Sequence, residues 1–361
     1  MPLENFRFFS KEWAVFALCL VVLVAFYFSL GVTGPLFLIA WFLAYLSFPI
    51  VRLLEGRSMS RAGAVAVTIS FVVLLLLAVA AILGPWVYRE IKQLIQELPG
   101  MIEWMSDRIN EFSVWISGRL NIEAQEFEFN FQEAWLVRLQ EMQISDLQTV
   151  RPFLTSGLGF ILYLVQLALL PIFYIYLLLH FDRIPTLIER MIPAQILPHY
   201  QRYAAKFDSL ILGYIQGLFL VCCFLAFSYA LGLSLSGVRF GLVVGIVAGF
   251  LSFIPYLGFF AGITVSTLLI LIYGQGFWIW IGFALTFGIA QLIESYYLTP
   301  RLVGSRVGLH PLAVILLVIA GANVAGLAGM IIAIPLGAML WIVLDDLLVE
   351  KQRREGGELP D

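Results

Sequence analysis

The stretch that decides the fold is Phe240 to Tyr273, FGLVVGIVAGFLSFIPYLGFFAGITVSTLLILIY, which carries no formal charge. It is too long for one crossing of a bilayer, which takes ~20 apolar residues. It is also broken, at Ser252-Phe253-Ile254-Pro255-Tyr256-Leu257-Gly258. A proline lacks the N–H and clashes with the preceding turn, and a glycine permits a tight reversal. The pattern predicts two short helices joined at membrane depth, where irregular backbone survives only if protein or a water-filled cavity satisfies it. Pro311 to Leu344 repeats the design, with Gly321-Ala322-Asn323-Val324-Ala325-Gly326 at its middle and Gly329 and Pro335 following. Four ordinary short spans held by Pro/Gly packing would share this pattern and the same parity.

Working outward, the rest of the chain is equally suited to lipid. It is 61% hydrophobic and 12% charged, with a mean hydropathy of +0.95, against roughly 45–50% apolar residues in soluble domains. Trp13 to Leu30, Leu36 to Leu54, Ala62 to Tyr88 and Ser156 to Leu179 are further spans. The first lacks a small-residue cleavage pattern and is expected to stay as span one. Cys19, Cys222 and Cys223 all lie within apolar runs and read as small buried hydrophobes rather than a disulfide or a metal site. No metal or other cofactor and no nucleic-acid partner are expected.

Charge gives an orientation. Basic residues cluster at Arg7 and Lys11; Arg52, Arg57 and Arg61; Arg183, Arg190, Arg202 and Lys206; Arg301 and Arg306; and Lys351, Arg353 and Arg354. By the positive-inside rule these clusters mark the cytoplasmic face, so both termini are expected there. Arg89 to Arg151 holds six basic and eleven acidic residues and falls outside by parity. Its Ile95, Leu98, Ile102, Met105, Ile109, Phe112 and Ile116 recur at steps of three and four, the seam of an amphipathic helix. That seam packs on its own subunit, on the bilayer surface or between subunits. Pro99 and Gly100 are expected to bend or split the helix, and Glu126 to Phe131 alternates in the manner of a short extended stretch. Ile184 to Lys206 reads as an amphipathic connector along the cytoplasmic face.

The predicted architecture is therefore an all-α, polytopic helical integral membrane protein. It has about eight membrane segments, two broken or re-entrant hairpins in the C-terminal half and an extracytoplasmic helical excursion. Its parts are spans one to three (1–88), the excursion (89–153), span four with the connector (154–208), a core of broken helices (209–346) and a basic tail (347–361). If each hairpin returns to the side it left, parity gives them opposite orientations, an arrangement that builds transport sites near the bilayer midplane.

Between the hairpins, Phe277 to Leu298 contains one charge, Glu294. Ionisable residues at that depth are costly and mark function by default. On a helix Gln291, Glu294 and Ser295 share a face as i, i+3 and i+4. A carboxyl there can bind and release a proton within the working pH range, with Gln291 and Asn323 offering polar contacts to solute or cation. The alternative is a structural ion pair between Glu294 and Arg301 or Arg306. Pro255, Gly258, Gly321 and Gly326, with Asn323, are candidates for hairpin tips that aim free backbone groups at a solute. Ser252, Thr264 and Thr267 could add hydroxyls, although membrane hydroxyls more often bond their own helix. Arg301 and Arg306 either anchor to anionic lipid or gate the inner mouth. His180, His199 and His310 are too scattered for a metal site. Enzyme chemistry finds no support: no His-Glu-x-x-His, Gly-x-Ser-x-Gly or Gly-x-x-x-x-Gly-Lys occurs.

Several of these residues also carry a resemblance. Phe253-Ile254-Pro255-Tyr256-Leu257-Gly258, Gln291-Leu292-Ile293-Glu294, the run Leu298-Thr299-Pro300-Arg301 through Gly304, Arg306, Gly308 and Pro311, and the Gly326 to Pro335 segment look like the autoinducer-2 exporter family of bacterial membrane proteins. The likeness covers nearly the whole chain. It implies a multi-pass protein of the bacterial cytoplasmic (inner) membrane. That protein would export a small solute, such as autoinducer-2 or a related metabolite, or exchange sodium or lithium for protons. It also implies a homo-oligomer, for which a pentamer is the family expectation. A non-transporting scaffold and a channel are the competing classes. One departure stands out: where the family commonly has an arginine and a glutamine flanking a glycine, this chain reads Tyr214-Ile215-Gln216-Gly217-Leu218. Gln216 keeps the polar contact without the cation, which points to a different solute wherever that arginine holds one.

Overall fold

A computed structural model describes residues 31, 33–120, 157–192, 197–274, 276–303 and 311–354. The first span, the Glu126 to Phe131 stretch, Arg306 and His310 lie outside the described residues. Among the described residues the fold is all-helical. In chain order the helices are α1 (Thr33–Glu55), α2 (Arg61–Leu120), α3 (Gly157–His180), α4 (Arg183–Met191), α5 (Leu197–Leu235), α6 (Gly241–Leu251), α7 (Leu257–Ile272), α8 (Phe277–Ile293) running into a π-helical stretch (Glu294–Val303), and α9 (Pro311–Arg354). Among the described residues four helices are long and apolar enough to cross a membrane: Thr33–Glu55, Arg61–Arg119, Tyr200–Leu235 and Phe277–Leu302. Phe71, Leu74, Leu76, Ile82 and Trp86 on α2 are all exposed. A helix apolar around its whole circumference requires lipid rather than water at its surface.

The chain divides into two compact units. One comprises Met1–Val65, Leu164–Ala204 and Leu309–Asp361. In it Ala40, Ala44 and Val51 of α1 are fully buried, and a buried hydrogen bond runs from the Tyr174 hydroxyl of α3 to Ser47 Oγ at 2.7 Å. The α9 run folds back on itself. Ala325 and Gly326 leave helical geometry, Gly326 at φ 57°, a conformation open to glycine at little cost. The arms meet where Gly321 faces the Gly329 carbonyl and Gly337 faces Leu317. Residue numbers that fall on one side of Gly326 as they rise on the other are the signature of an antiparallel hairpin, as the sequence predicted.

The second unit comprises Ala66–Tyr163 and Ala205–Gly308. Its first hairpin is α6–α7, whose arms at ~1.5 Å per residue are roughly 16 and 24 Å long, against a hydrocarbon core of ~30 Å. The reversal falls at Tyr256, in the left-handed region at φ 67°, rather than at Gly258. A Cβ on Gly258 would instead strike the Ala248 carbonyl and Ser252, so this glycine serves close approach of the two arms. Gly241, Gly245 and Gly249 form a stripe on α6 that lies directly on the α5 backbone at Leu233, Ala230 and Ala226. Small residues at this spacing let two membrane helices touch main chain to main chain. α8 packs on a neighbouring face of α5, where Gly232 meets Thr286 and Ser236 meets Gly282. The core between them holds Leu225, Tyr229, Leu233, Val244, Ile270, Phe287 and Ala290.

α2 is not split at Pro99 and Gly100: it continues as one 60-residue α-helix through Pro85 and Pro99; at ~1.5 Å per residue this is roughly 90 Å, three times a hydrocarbon core, so much of it lies beyond the membrane. Leu94 and Met101 pack on the core. Of the predicted seam, Leu98, Ile102, Met105, Ile109 and Ile116 are half-buried, and Ile95 and Phe112 are exposed. Polar contacts fix the face that docks. Glu90 Oε2 accepts from the Val243 N–H at the start of α6 at 2.9 Å, and Glu97 accepts from both Arg239 and the Tyr273 hydroxyl. Glu90, Leu94, Glu97 and Met101 lie on one helical face and grip both ends of the α6–α7 hairpin.

Candidate functional site

Glu294 lies where α8 gives way to π-helical winding, which continues through Pro300 to Val303. Such wide turns occur most often at functional positions. The carboxylate is half-buried. Its Oε2 accepts from Gln291 Nε2 at 2.7 Å, and the same amide reaches Ser295 Oγ at 3.3 Å. The trio that the helical spacing brings together is therefore in contact. The other end of the amide, Gln291 Oε1, is buried without a hydrogen-bond partner among the described residues.

Arg301 is engaged elsewhere. Its guanidinium donates to the Tyr297 hydroxyl at 2.5 Å and sits over that ring at 4.3 Å from the centroid. Both are i, i+4 contacts along the π-helical stretch. Among the described residues no salt bridge reaches Glu294, so the Arg301 ion pair is not formed in this structure. Arg306 lies outside the described residues.

α5 closes the site from the opposite side. Tyr229 packs its ring on Phe287 at 4.5 Å, and Phe287, Gln291 and Glu294 lie on one face of α8 at i, i+4 and i+7. Cys222, one α5 heptad before Tyr229, is fully buried, and both side chains lie within electrostatic reach of the Glu294 carboxylate. The Tyr229 hydroxyl is buried with no partner, as is Ser266 Oγ on α7. Sequence reasoning passed over both. A tyrosine in an apolar run reads as core, and only the cost of burying its hydroxyl could have drawn attention to it.

The remaining predicted residues are distributed. Gln216 is on α5 beside the buried Tyr214 and Ile215. Ser252 Oγ donates to the Ala248 carbonyl of its own helix at 3.1 Å. Pro255 lies in the α6–α7 turn and Gly258 in the first turn of α7. Gly321 is in the first arm of α9, Asn323 is exposed near its end, and Gly326 forms the reversal. Glu294, Gln291, Ser252, Gln216, Pro255 and Gly258 belong to one unit, and Asn323, Gly321 and Gly326 to the other. Among the described residues no group of three metal-binding side chains occurs.

Long apolar helices, two short-armed hairpins and a carboxyl in an apolar helix define a polytopic membrane protein of the transporter class. The family profile described as "AI-2E family transporter" matches residues 5–348, and the chain belongs to that family. It is 25% identical to "Putative transport protein YueF" of Bacillus subtilis (strain 168), over 84% of this chain and 81% of that protein. It is 29% identical to "Putative permease PerM" of Escherichia coli (strain K12), over 94% of each chain.

Proposed function

We propose that this chain is a secondary transporter that exports a small solute, autoinducer-2 or a chemically related metabolite, in exchange for protons carried by Glu294. The observation that carries this reading is the Gln291–Glu294 pair: a carboxylate in an apolar helix, held by a neutral amide and facing no cation among the described residues. A carboxyl in that setting can exist charged or neutral, which a coupling site must do and an ion-paired structural carboxylate cannot. Ser252, Gln216 and Asn323 would offer polar contacts to the solute, and Arg301 and Arg306 would stand at the inner mouth. The protein would work as a homo-oligomer, a pentamer by family expectation, in the bacterial inner membrane with both termini in the cytoplasm.

The test is uptake and counterflow in inside-out vesicles against autoinducer-2, sodium and lithium, with and without a proton gradient. Glu294→Gln is expected to reduce gradient-driven accumulation at least tenfold, about 1.4 kcal/mol in the coupled step, while passive counterflow persists. Undiminished pH coupling in a well-folded variant would remove Glu294 from the mechanism. Sodium or lithium flux without autoinducer-2 flux would make the protein a cation/proton antiporter instead.

A further inference from the structure

The α5–α8 seam places a second proton-bearing group beside the Glu294 pair. The helices run antiparallel in a fixed register: Ser236 faces Gly282, Gly232 faces Thr286 and Tyr229 faces Phe287. One and two turns further along α8 come Gln291 and Glu294, with Cys222 of α5 within reach of the carboxylate's field. Seven residues separate Phe287 from Glu294, an axial distance of about 10 Å. Two leaning side chains can close it. Helical side chains tilt toward the N-terminus of their own helix, so in an antiparallel pair Tyr229 leans toward the level of Glu294, and Gln291 and Glu294 lean toward the level of Tyr229. The polar ends lean toward one another along a seam that also carries Ser236 and Thr286.

Two of those polar atoms are left unpaired. Tyr229 is 0% exposed, and neither its hydroxyl nor Gln291 Oε1 has a hydrogen-bond partner among the described residues. A buried unpaired polar group lowers stability, and phenylalanine would fill the same space without that penalty. The hydroxyl therefore asks for a use in another state of the molecule.

We propose that Tyr229 is the positioning residue of the coupling site: its hydroxyl donates to the Glu294 carboxylate when that group is ionised and releases it when the carboxyl takes up a proton, so that Tyr229 sets the pH at which coupling switches. This rests on the reading of Glu294 as the coupling group. The proton comes from water and returns to water. On protonation one carboxyl oxygen becomes a donor, and the Gln291 amide, rotating about its terminal bond, offers its unpaired oxygen as acceptor. The other groups facing the site cannot substitute. On α5 Cys222 lies with Tyr229 within reach of the carboxylate's field, with Cys223 and the buried Tyr214 next to Cys222. α6 and α7 carry no titratable side chain. Arg301 is held by Tyr297, and Glu90 and Glu97 of α2 are engaged at the far end of the hairpin.

The experiment is an infrared titration of the full chain in liposomes, following the carbonyl band of protonated carboxyl groups and assigning the Glu294 component by its loss in Glu294→Gln. In Tyr229→Phe that component is expected to titrate at higher pH by about one unit, the effect of withdrawing one donor from an ionised group. Thermal stability is expected to be unchanged or higher. An unmoved midpoint overturns the proposal, as does the absence of any titrating component lost in Glu294→Gln. Transport decides the underlying reading separately: coupling that survives Glu294→Gln would refute the role of Glu294 in transport, whereas a vanished coupling with an unmoved Tyr229→Phe midpoint refutes only the role of Tyr229.

Discussion

Arg61 shows how a residue counted as a topology signal can also hold structure. In the sequence it is one of a cytoplasmic cluster. In the structure its Nε and Nη2 donate to the Leu178 carbonyl at 3.1 and 2.7 Å, and its Nη1 reaches Glu55 at 3.1 Å and Asp182 at 2.6 Å. The Leu178 carbonyl belongs to the last turn of α3, where carbonyls lack helical partners and a cation complements the dipole. One guanidinium thus ties the ends of α1 and α3 to the start of α2. Arg61→Ala leaves two carboxylates and a carbonyl without their donor and is expected to cost ~2–3 kcal/mol, read as a lower melting temperature in detergent. Arg61→Lys should recover less than half of the loss, because an ammonium cannot present the planar fork to three acceptors. Glu97, beyond the membrane portion of α2, carries a pH dependence of its own. The Tyr273 hydroxyl and then Arg239 hold its carboxyl below the ordinary value of 4.5. A depressed acid contributes its stability above the ordinary value and loses it as pH falls through the depressed one. The contact between α2 and the hairpin should therefore persist at neutral pH and loosen only in acid below 4.5. Hydrogen exchange at Val243 and Val244 tests this: their protection should drop in acid in the native protein, and be low at every pH in Glu97→Gln.

At the scale of elements, the glycine stripe on α6 makes the sharpest demand on sequence. A Cβ on Gly249 would fall 2.1 Å from Ala226 Cα, and one on Gly245 2.2 Å from the Ala230 nitrogen, both main-chain atoms. Neither can give way without moving a helix, so Gly249→Ala is expected to cost ~3 kcal/mol or more, at the upper end for overpacking, and to lower the folded yield in fluorescence-detected chromatography. Gly84 of α2 meets nothing within 4 Å, and Gly84→Ala should be neutral or stabilising by up to ~1 kcal/mol. The two substitutions look alike on paper and differ only in what faces them. That contrast explains what was legible in the sequence. Hairpins announced themselves through Pro255, Gly258 and the Gly321 to Gly326 run, because backbone breaks are local chemistry. The contact of Gln291 with Glu294 was legible too, since i, i+3 spacing fixes it within one helix. The continuity of α2 past Pro99, the contacts of its Glu90 and Glu97 and the place of Tyr229 depend on what another helix presents. The π-helical winding from Glu294 had no sequence signal beyond Pro300.

For the whole molecule, the open question that structure and charge address together is how deep the two hairpins reach. The arms of α6–α7 are roughly 16 and 24 Å long, and a full crossing of the hydrocarbon takes ~30 Å. Their bases, at Arg239 and Tyr273, are held by Glu97, which positive-inside counting places on the outer side. A hairpin anchored there and short of a full crossing is expected to end within the membrane, with Tyr256 at its tip, 57% exposed. Such a tip can be tolerated only against protein or an aqueous cavity, because its backbone groups are not all satisfied by helix. The α9 hairpin, with Gly326 at its tip, should show the same behaviour from the inner side. In a background with Cys19, Cys222 and Cys223 replaced by alanine, cysteines at positions 256 and 323 should react with a small charged methanethiosulfonate. A bulky impermeant maleimide should label neither from either face, while a cysteine at position 274 should take the maleimide from outside. Maleimide labelling of position 256 from the cytoplasmic face would mean that α6 and α7 cross completely. The α6–α7 hairpin would then be an ordinary pair of spans, and the re-entrant reading of it would be lost.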